Sequence, residues 1–294
     1  MKKIAFLFLA FNHFYCVAQQ NSDSLLDINL LYIPPKETFF VSGINFNRFT
    51  ALDYMVSPLV NDGFGFGANL GVLKRKNNAL ANLSFSLSSA NLKNQMQAKH
   101  YITELNHVSI NCGKNYEINS LSFNKIVTSI GWQFNQVFDF KSNSQFQNSS
   151  LTYHISSAIS PVIRFEKWIS FKESKKRLAF KKQRSMRINY QFSLPLIAGV
   201  SRPNYNAIQL LKDGTGGYYQ NSIASEIITN YKLYAFKNYV AINSILCVEY
   251  YLKNGNRLML QYFWNFEQMK KENYAFKMAQ TGVQLCFFTR LNSL

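Results

Sequence analysis

Beyond residue 18 the chain has no run approaching the roughly 20 continuous apolar residues that a membrane-crossing helix needs, so a helical membrane protein is excluded. Cysteine is equally sparse there. Only Cys112, Cys247 and Cys286 remain, and an odd number cannot pair off within one chain, so no disulfide framework is expected. Histidine numbers 4, and no cysteine pair has zinc-ligand spacing, which leaves no metal centre to expect. No glycine-rich phosphate loop occurs either: in Gly63-Phe64-Gly65-Phe66-Gly67 the glycines alternate with phenylalanine as they would along a strand, and no cofactor is implied.

What the chain does have is alternation. Hydrophobic residues make up 47% and aromatics 16%, yet the mean hydropathy is -0.14, because apolar side chains alternate with Asn, Ser, Gln and Lys. The clearest case is Met186 to Ser201. Met186, Ile188, Tyr190, Phe192, Leu194, Leu196, Ala198 and Val200 share one parity, and Arg187, Asn189, Gln191, Ser193, Gly199 and Ser201 the other. That spacing predicts one long strand with an apolar and a polar face, longer than a globular strand and suited to crossing a bilayer at a tilt.

The N-terminus carries Lys2 and Lys3, the apolar run Ile4 to Phe11, and small residues at Cys16 and Ala18 before Gln19. Residues 1–18 read as a secretory signal peptide, and 19–37 as a periplasmic lead ending after Pro34-Pro35. An exported chain that stays in a membrane without a helix has to close a β-barrel, because only closure satisfies every backbone group in lipid. The expected fold is therefore all-β, a transmembrane antiparallel barrel over residues 38–294 in the bacterial outer membrane, monomeric and surrounded by lipid. Ten strands are countable: Phe40 to Phe49, Phe64 to Val72, Ala81 to Ser88, Tyr101 to Tyr116, Ile126 to Phe138, Leu151 to Phe165, Met186 to Ser201, Val240 to Leu252, Leu258 to Phe266 and Val283 to Leu291. The count becomes twelve if the basic block or the long connection hides a hairpin. Trp132, Trp264 and Tyr250 are placed in the aromatic girdles.

Short links near Lys74 to Asn78, Glu117 to Phe123 and Asn254 to Asn256 fall on one side, read as periplasmic. Longer ones, Asp53 to Gly63, Asn94 to Lys99, Lys141 to Ser149 and the 202–237 connection, fall outside. Parity requires a three-residue Asn254 to Asn256 loop, with Leu252 opposite Leu258 and Glu249 facing Gln261. The 202–237 connection is long enough to cap, plug or bind.

Charge is uneven, with 32 basic against 15 acidic residues. Given export, lipid phosphate, lipopolysaccharide or an acidic periplasmic partner is expected in preference to nucleic acid. The basic patch is Lys172, Lys175, Lys176, Arg177, Lys181, Lys182 and Arg184, whose plain reading is a solvated extension of two strands. Arg164, Arg187, Glu249 and Glu267 fall on the inner face or at the mouth, where they would pair in a polar lumen or set selectivity in a channel.

In signal peptide, alternating strands and closing C-terminal strand the chain resembles bacterial outer-membrane β-barrel proteins, and Leu194 to Tyr205 looks like a segment of uncharacterised members. That resemblance implies architecture and no activity. His154-Ile155-Ser156 is similar to the His-x-Ser pair of outer-membrane phospholipases and lipid A deacylases, which implies a lipid-ester hydrolase as the alternative function. Here Ser157-Ala158 follows where those families have Asn, and parity turns the pair inward. The leading expectation is non-enzymatic: a narrow pore, or a structural or secretion-associated scaffold. Asp139 or Asn135 on the preceding strand is the expected orienting group for His154.

Overall fold

The computed structural model describes residues 36–54, 57–76, 78–94, 102–123, 126–143, 151–171, 184–202, 227–235, 238–252, 254–270 and 275–291. Twelve strands run in chain order: β1 Lys36–Asp53, β2 Ser57–Lys76, β3 Ala79–Asn94, β4 Ile102–Glu117, β5 Ile126–Ser142, β6 Leu151–Phe171, β7 Arg184–Ser193, β8 Ile197–Ser201, β9 Lys232–Ala235, β10 Tyr239–Tyr251, β11 Arg257–Met269 and β12 Phe276–Leu291. Ten of them close an antiparallel barrel, in which β1 pairs with both β2 and β12, β5 with β6, and β7 with β10. β8 and β9 stand outside that closure, β8 against β6 and β9 against β8.

Burial is inverted relative to a soluble sheet protein. Ile44, Phe64, Phe66, Leu83, Leu87, Leu260 and Leu285 are exposed on the outer wall, whereas Arg187, Arg257, Glu166, Glu249, Asp139 and His154 are buried inside. An apolar belt around a polar interior is what a barrel in lipid requires, because its outer face meets hydrocarbon. The protein is a transmembrane β-barrel of the bacterial outer membrane. Trp132, Trp264 and Tyr250 lie on the outward parity, with Trp264 stacked on Phe266 at 6.2 Å.

Strands of 18, 20 and 21 residues in β1, β2 and β6 outrun the roughly ten that cross a bilayer at a tilt. The outward face changes character where they do so. Above Phe46 and Phe64 it carries Arg48, which hydrogen-bonds Asp62 at 2.7 Å, and Thr50, which donates to the same carboxylate at 2.9 Å. The Asp53 to Gly63 segment, expected as a loop, is therefore mostly strand: β1 and β2 continue to a link at 54–56. β1 also begins at Lys36, so Lys36 and Glu37 belong to the barrel and not to the lead. The rest of 19–37 and residues 1–18, expected as a signal peptide, lie outside the described residues.

Two further expectations need correction. β10 and β11 pair Tyr250 with Leu258 and Tyr251 with Arg257, two residues away from the expected register. Glu249 thus sits opposite Met259, not Gln261. Side-chain parity survives, because a shift by two keeps every residue on its face. The loop has the expected three residues but occupies 253–255: the Leu252 N–H donates to the Asn256 carbonyl at 2.8 Å, and Gly255 has φ of 85°. A left-handed residue closing a three-residue hairpin is a bulge position that favours glycine.

The Met186–Ser201 strand is also not continuous. β7 pairs Ser193 with Val162 of β6 and β8 pairs Ile197 with Ile159, leaving three residues on one side against two on the other. The extra residue, at Leu194-Pro195-Leu196, is a bulge and reverses the parity beyond it. Ala198 and Val200, expected outward, are consequently buried inside, 1% and 3% exposed. Proline has no N–H for the ladder, which explains a break at this position.

Gly255→Ala is expected to destabilise the folded barrel by about 1 kcal/mol, the cost of a left-handed conformation for an L-residue. Urea unfolding of the refolded protein in detergent micelles, followed by heat-modifiable gel migration, measures it.

Candidate functional site

The inward side chains form three layers along the barrel axis. At the end where β1 begins and β12 finishes, Arg75, Arg164, Arg187 and Arg257 meet Glu37, Glu117, Glu166 and Glu249. Arg187 is the hub. Its Nη1 donates to Glu166 at 3.1 Å and its Nη2 to both oxygens of Glu249 at 2.7 and 2.5 Å. Arg164 pairs with Glu166 at 2.7 Å, Arg75 bridges Glu166 at 3.6 Å and Glu117, and Arg257 joins Glu249 at 3.5 Å to Glu37. Asn189 donates to Glu249 at 3.0 Å. Aromatic rings fill around the cations, Phe39 and Tyr251 at 3.9 and 4.4 Å from the Arg257 guanidinium and Trp168 at 5.4 Å from that of Arg187. The four inward cations balance the four anions, as burial away from water demands, and the exposed Arg290 adds a pairing to Glu37 at 3.6 Å from the rim.

The opposite end is closed by hydrocarbon and by two histidine–carboxylate pairs. Phe49, Leu92, Leu105, Val200, Met269 and Phe276 form one buried cluster. His107 Nδ1 lies 2.6 Å from Asp139, and His154 Nε2 lies 2.8 Å from Glu267 while its ring stacks on Phe276 at 4.4 Å. Tyr239, Ser156 and Glu267 line the same cavity beside this pair. Arg202 and Lys141 both pair with Asp53, the latter at 3.8 Å.

Between the two closures is a cavity of about 310 Å³ whose wall mixes amides, among them Asn45, Asn111, Gln133, Gln191, Asn243 and Gln284, with apolar side chains such as Ile245, Met259 and Phe263, and which reaches Arg164, Glu249 and Glu267. The inward glycines serve these amides. A side chain at Gly67 would collide with Asn45, which leans across it, so the space beside this glycine is taken by its neighbour.

Sequence parity placed Arg164, Arg187, Glu249 and Glu267 on the inner face, and all four project there. The structure brings the first three together and puts Glu267 at the other end, on His154. Glu37, Arg75, Glu117, Glu166 and Arg257 escaped notice as members of the lattice. Each has inward parity close to the same end of its strand, which is the signal that could have found them. Asp139 is level with His154 in the β5–β6 ladder, as the orienting role required, yet its carboxylate turns to His107 and Glu267 takes His154 instead. Lys172, Lys175, Lys176, Arg177, Lys181 and Lys182 lie outside the described residues, as does most of the 202–237 connection; Arg184 opens β7.

No family model and no curated protein matches the chain. Among solved structures it is similar to the transport unit of the autotransporter AIDA-I from Escherichia coli, at 8% identity over 95% of this chain and 97% of that one, with a TM-score of 0.42. Outer membrane protease OmpT from Escherichia coli matches at 7% identity over 87% and 96%, TM-score 0.44. Neisserial surface protein A matches at 10% identity over 84% and 95%, TM-score 0.30.

Arg187→Met is expected to destabilise the barrel by about 3–5 kcal/mol, since it takes the hub cation from two buried carboxylates and leaves the buried layer one charge out of balance, while Arg48→Met in the exposed pair costs under about 1 kcal/mol. Parallel urea titrations of the two variants check the contrast.

Proposed function

We propose that the chain is a monomeric scaffold of the outer membrane whose lumen does not conduct in its resting state. One observation carries this reading: the lumen is closed twice, by the neutral Arg–Glu lattice at one end and by the Phe49–Leu105–Phe276 cluster at the other. A narrow pore needs a continuous polar path. Here the polar stretch is an internal cavity, and the ion pairs below it leave no uncompensated ring of charge to select ions. The strands that rise beyond the apolar belt supply a rigid outer platform, and the basic 172–184 segment, on the opposite side, would meet an acidic periplasmic partner or lipid phosphate.

The hydrolase reading has one observation in its favour, the Glu267 carboxylate on His154, since a third group commonly orients a catalytic base. Against it, His154 and Ser156 are both buried on the lumen side. Lipid esters lie on the other side of the wall.

Refolded wild-type protein in planar bilayers is expected to stay electrically silent after heat-modifiable migration has confirmed folding. Discrete conductance steps at moderate voltage would overturn the scaffold reading in favour of a pore. Ser156→Ala is expected to leave esterase activity on short-chain and phospholipid substrates at the wild-type level; selective loss of a measurable wild-type activity would establish the hydrolase.

A further inference from the structure

On the outer wall, at the end of the barrel that holds the Arg–Glu lattice, the apolar belt gives way to a cluster of cations centred on β3. The strand registers set Thr38, Lys74, Ala81, Lys114 and Trp132 on one outward rung across β1 to β5. Its charges are Lys74 and Lys114, and they flank the alanine. The next rung toward the rim repeats the arrangement, with Lys76 and Tyr116 on either side of Ala79. One rung deeper, the same three strands carry Val72, Leu83 and Cys112, of which Val72 and Leu83 are exposed as part of the belt.

Two strand spacings, about 10 Å, separate the backbones of Lys74 and Lys114. Alanine has no side chain tall enough to fill that gap. The surface is therefore a shallow trough floored by Ala79 and Ala81, with lysine stems on its β2 side and Lys114 and Tyr116 on its β4 side. The Lys114 ammonium lies 4.9 Å from the centre of the Tyr116 ring, which steadies that wall. Tyr116 and Trp132 are each about half exposed, and such rings settle at the membrane–water interface, so the trough stands at headgroup level.

The cations are unmatched from within the protein. The carboxylates at this end, Glu37, Glu117, Glu166 and Glu249, turn inward to Arg257, Arg75 and Arg187. Among the described residues no ion pair reaches Lys74, Lys76 or Lys114. The opposite rim shows the contrast, since its outward Arg48 has Asp62 beside it. Amines held one rung from hydrocarbon without a counter-ion draw one from the membrane interface, whose acidic groups are lipid phosphates.

We propose that this trough binds the head of an anionic glycerophospholipid, its phosphate between Lys74 and Lys114 and its acyl chains along Val72, Leu83 and Cys112. Three cations around one phosphodiester leave positive charge in excess. A head with net negative charge satisfies it, whereas a zwitterionic head brings an amine that competes with the lysines. Lysine suits the task, because a point charge on a flexible stem takes a phosphate without a fixed fork geometry. The inference concerns the outer wall and stands apart from whether the lumen conducts.

The test reads Trp132, the neighbour of Lys114 across the β4–β5 ladder. Full-length protein carrying Trp264→Phe is refolded into phosphatidylcholine vesicles, which leaves Trp132 as the lipid-facing tryptophan, since Trp168 lies inside against Arg187. Phosphatidylglycerol or phosphatidylcholine, each brominated near the top of one chain, is titrated in as the fluorescence quencher. Phosphatidylglycerol is expected to occupy the site beside Trp132 about fivefold or more in preference to phosphatidylcholine. Lys74→Gln with Lys114→Gln should bring that ratio to about one. Ala81→Phe, which fills the trough and keeps every lysine, should lower it equally, whereas a diffuse positive field would leave it intact. Lys93→Gln with Lys277→Gln removes two exposed charges at the opposite rim and should not change it. Equal quenching by the two lipids, a preference that survives the lysine pair or Ala81→Phe, or a preference lost with Lys93 and Lys277 would overturn the site. All these side chains face outward, and heat-modifiable migration checks that each variant folds; should the Lys74 and Lys114 double variant fail, Ala81→Phe decides alone.

Discussion

Arg187 inside a membrane barrel is the constraint around which the rest is arranged. A guanidinium shut away from water has to be neutralised, and here Glu166 and Glu249 do so through its two terminal nitrogens from the two strands that flank β7. Those carboxylates then need cations of their own. Arg164, Arg75 and Arg257 supply them, and the requirement spreads around the wall through Glu117 and Glu37 until it reaches strands at both ends of the chain. The lattice thereby ties β1, β2, β4, β6, β7, β10 and β11 together at one end. Replacing any one member leaves the buried layer one charge out of balance, so the network specifies register as well as sealing the lumen.

The opposite end meets the same need for closure with different chemistry. Apolar side chains occupy inward positions that parity would assign to polar residues, and the polar groups that remain are tied pairwise, His107 to Asp139 and His154 to Glu267. A barrel of ten strands is narrow enough for side chains to fill it from both rims. The middle is left to amides. They can satisfy one another or water without any charge to compensate, and the inward glycines give them room to lie along the wall.

The bulge at Pro195 links wall and interior. One added residue reverses parity, which sends Ala198 and Val200 inward to the apolar closure and leaves Leu196 and Ile197 outside. It also ends the β7–β10 ladder at Ser193 and Asn243, and beyond it Ala198 and Val200 join Tyr239 and Ala241 of β10 in one buried cluster.

The sequence alone determined the architecture: ten alternating runs, their inward and outward faces, and the outward belt are all present in the period of two, because a strand's faces depend only on which residue follows which. Parity also assigned Arg164, Arg187, Glu249, Glu267, His154 and Ser156 to the interior. What only the tertiary structure decided is which inward residues meet, since that depends on register between strands far apart in the chain. A shift by two in the β10–β11 pair leaves every face unchanged and still moves Glu249 from Gln261 to Met259. For the same reason Glu267 and the arginines looked like one group and are two, and Asp139 stands level with His154 while bonding His107. The bulge was hidden too. Leu194, Leu196, Ala198 and Val200 are all apolar, so a reversal of parity among them leaves the alternation intact to the eye, and only pairing with β6 shows which of them face lipid.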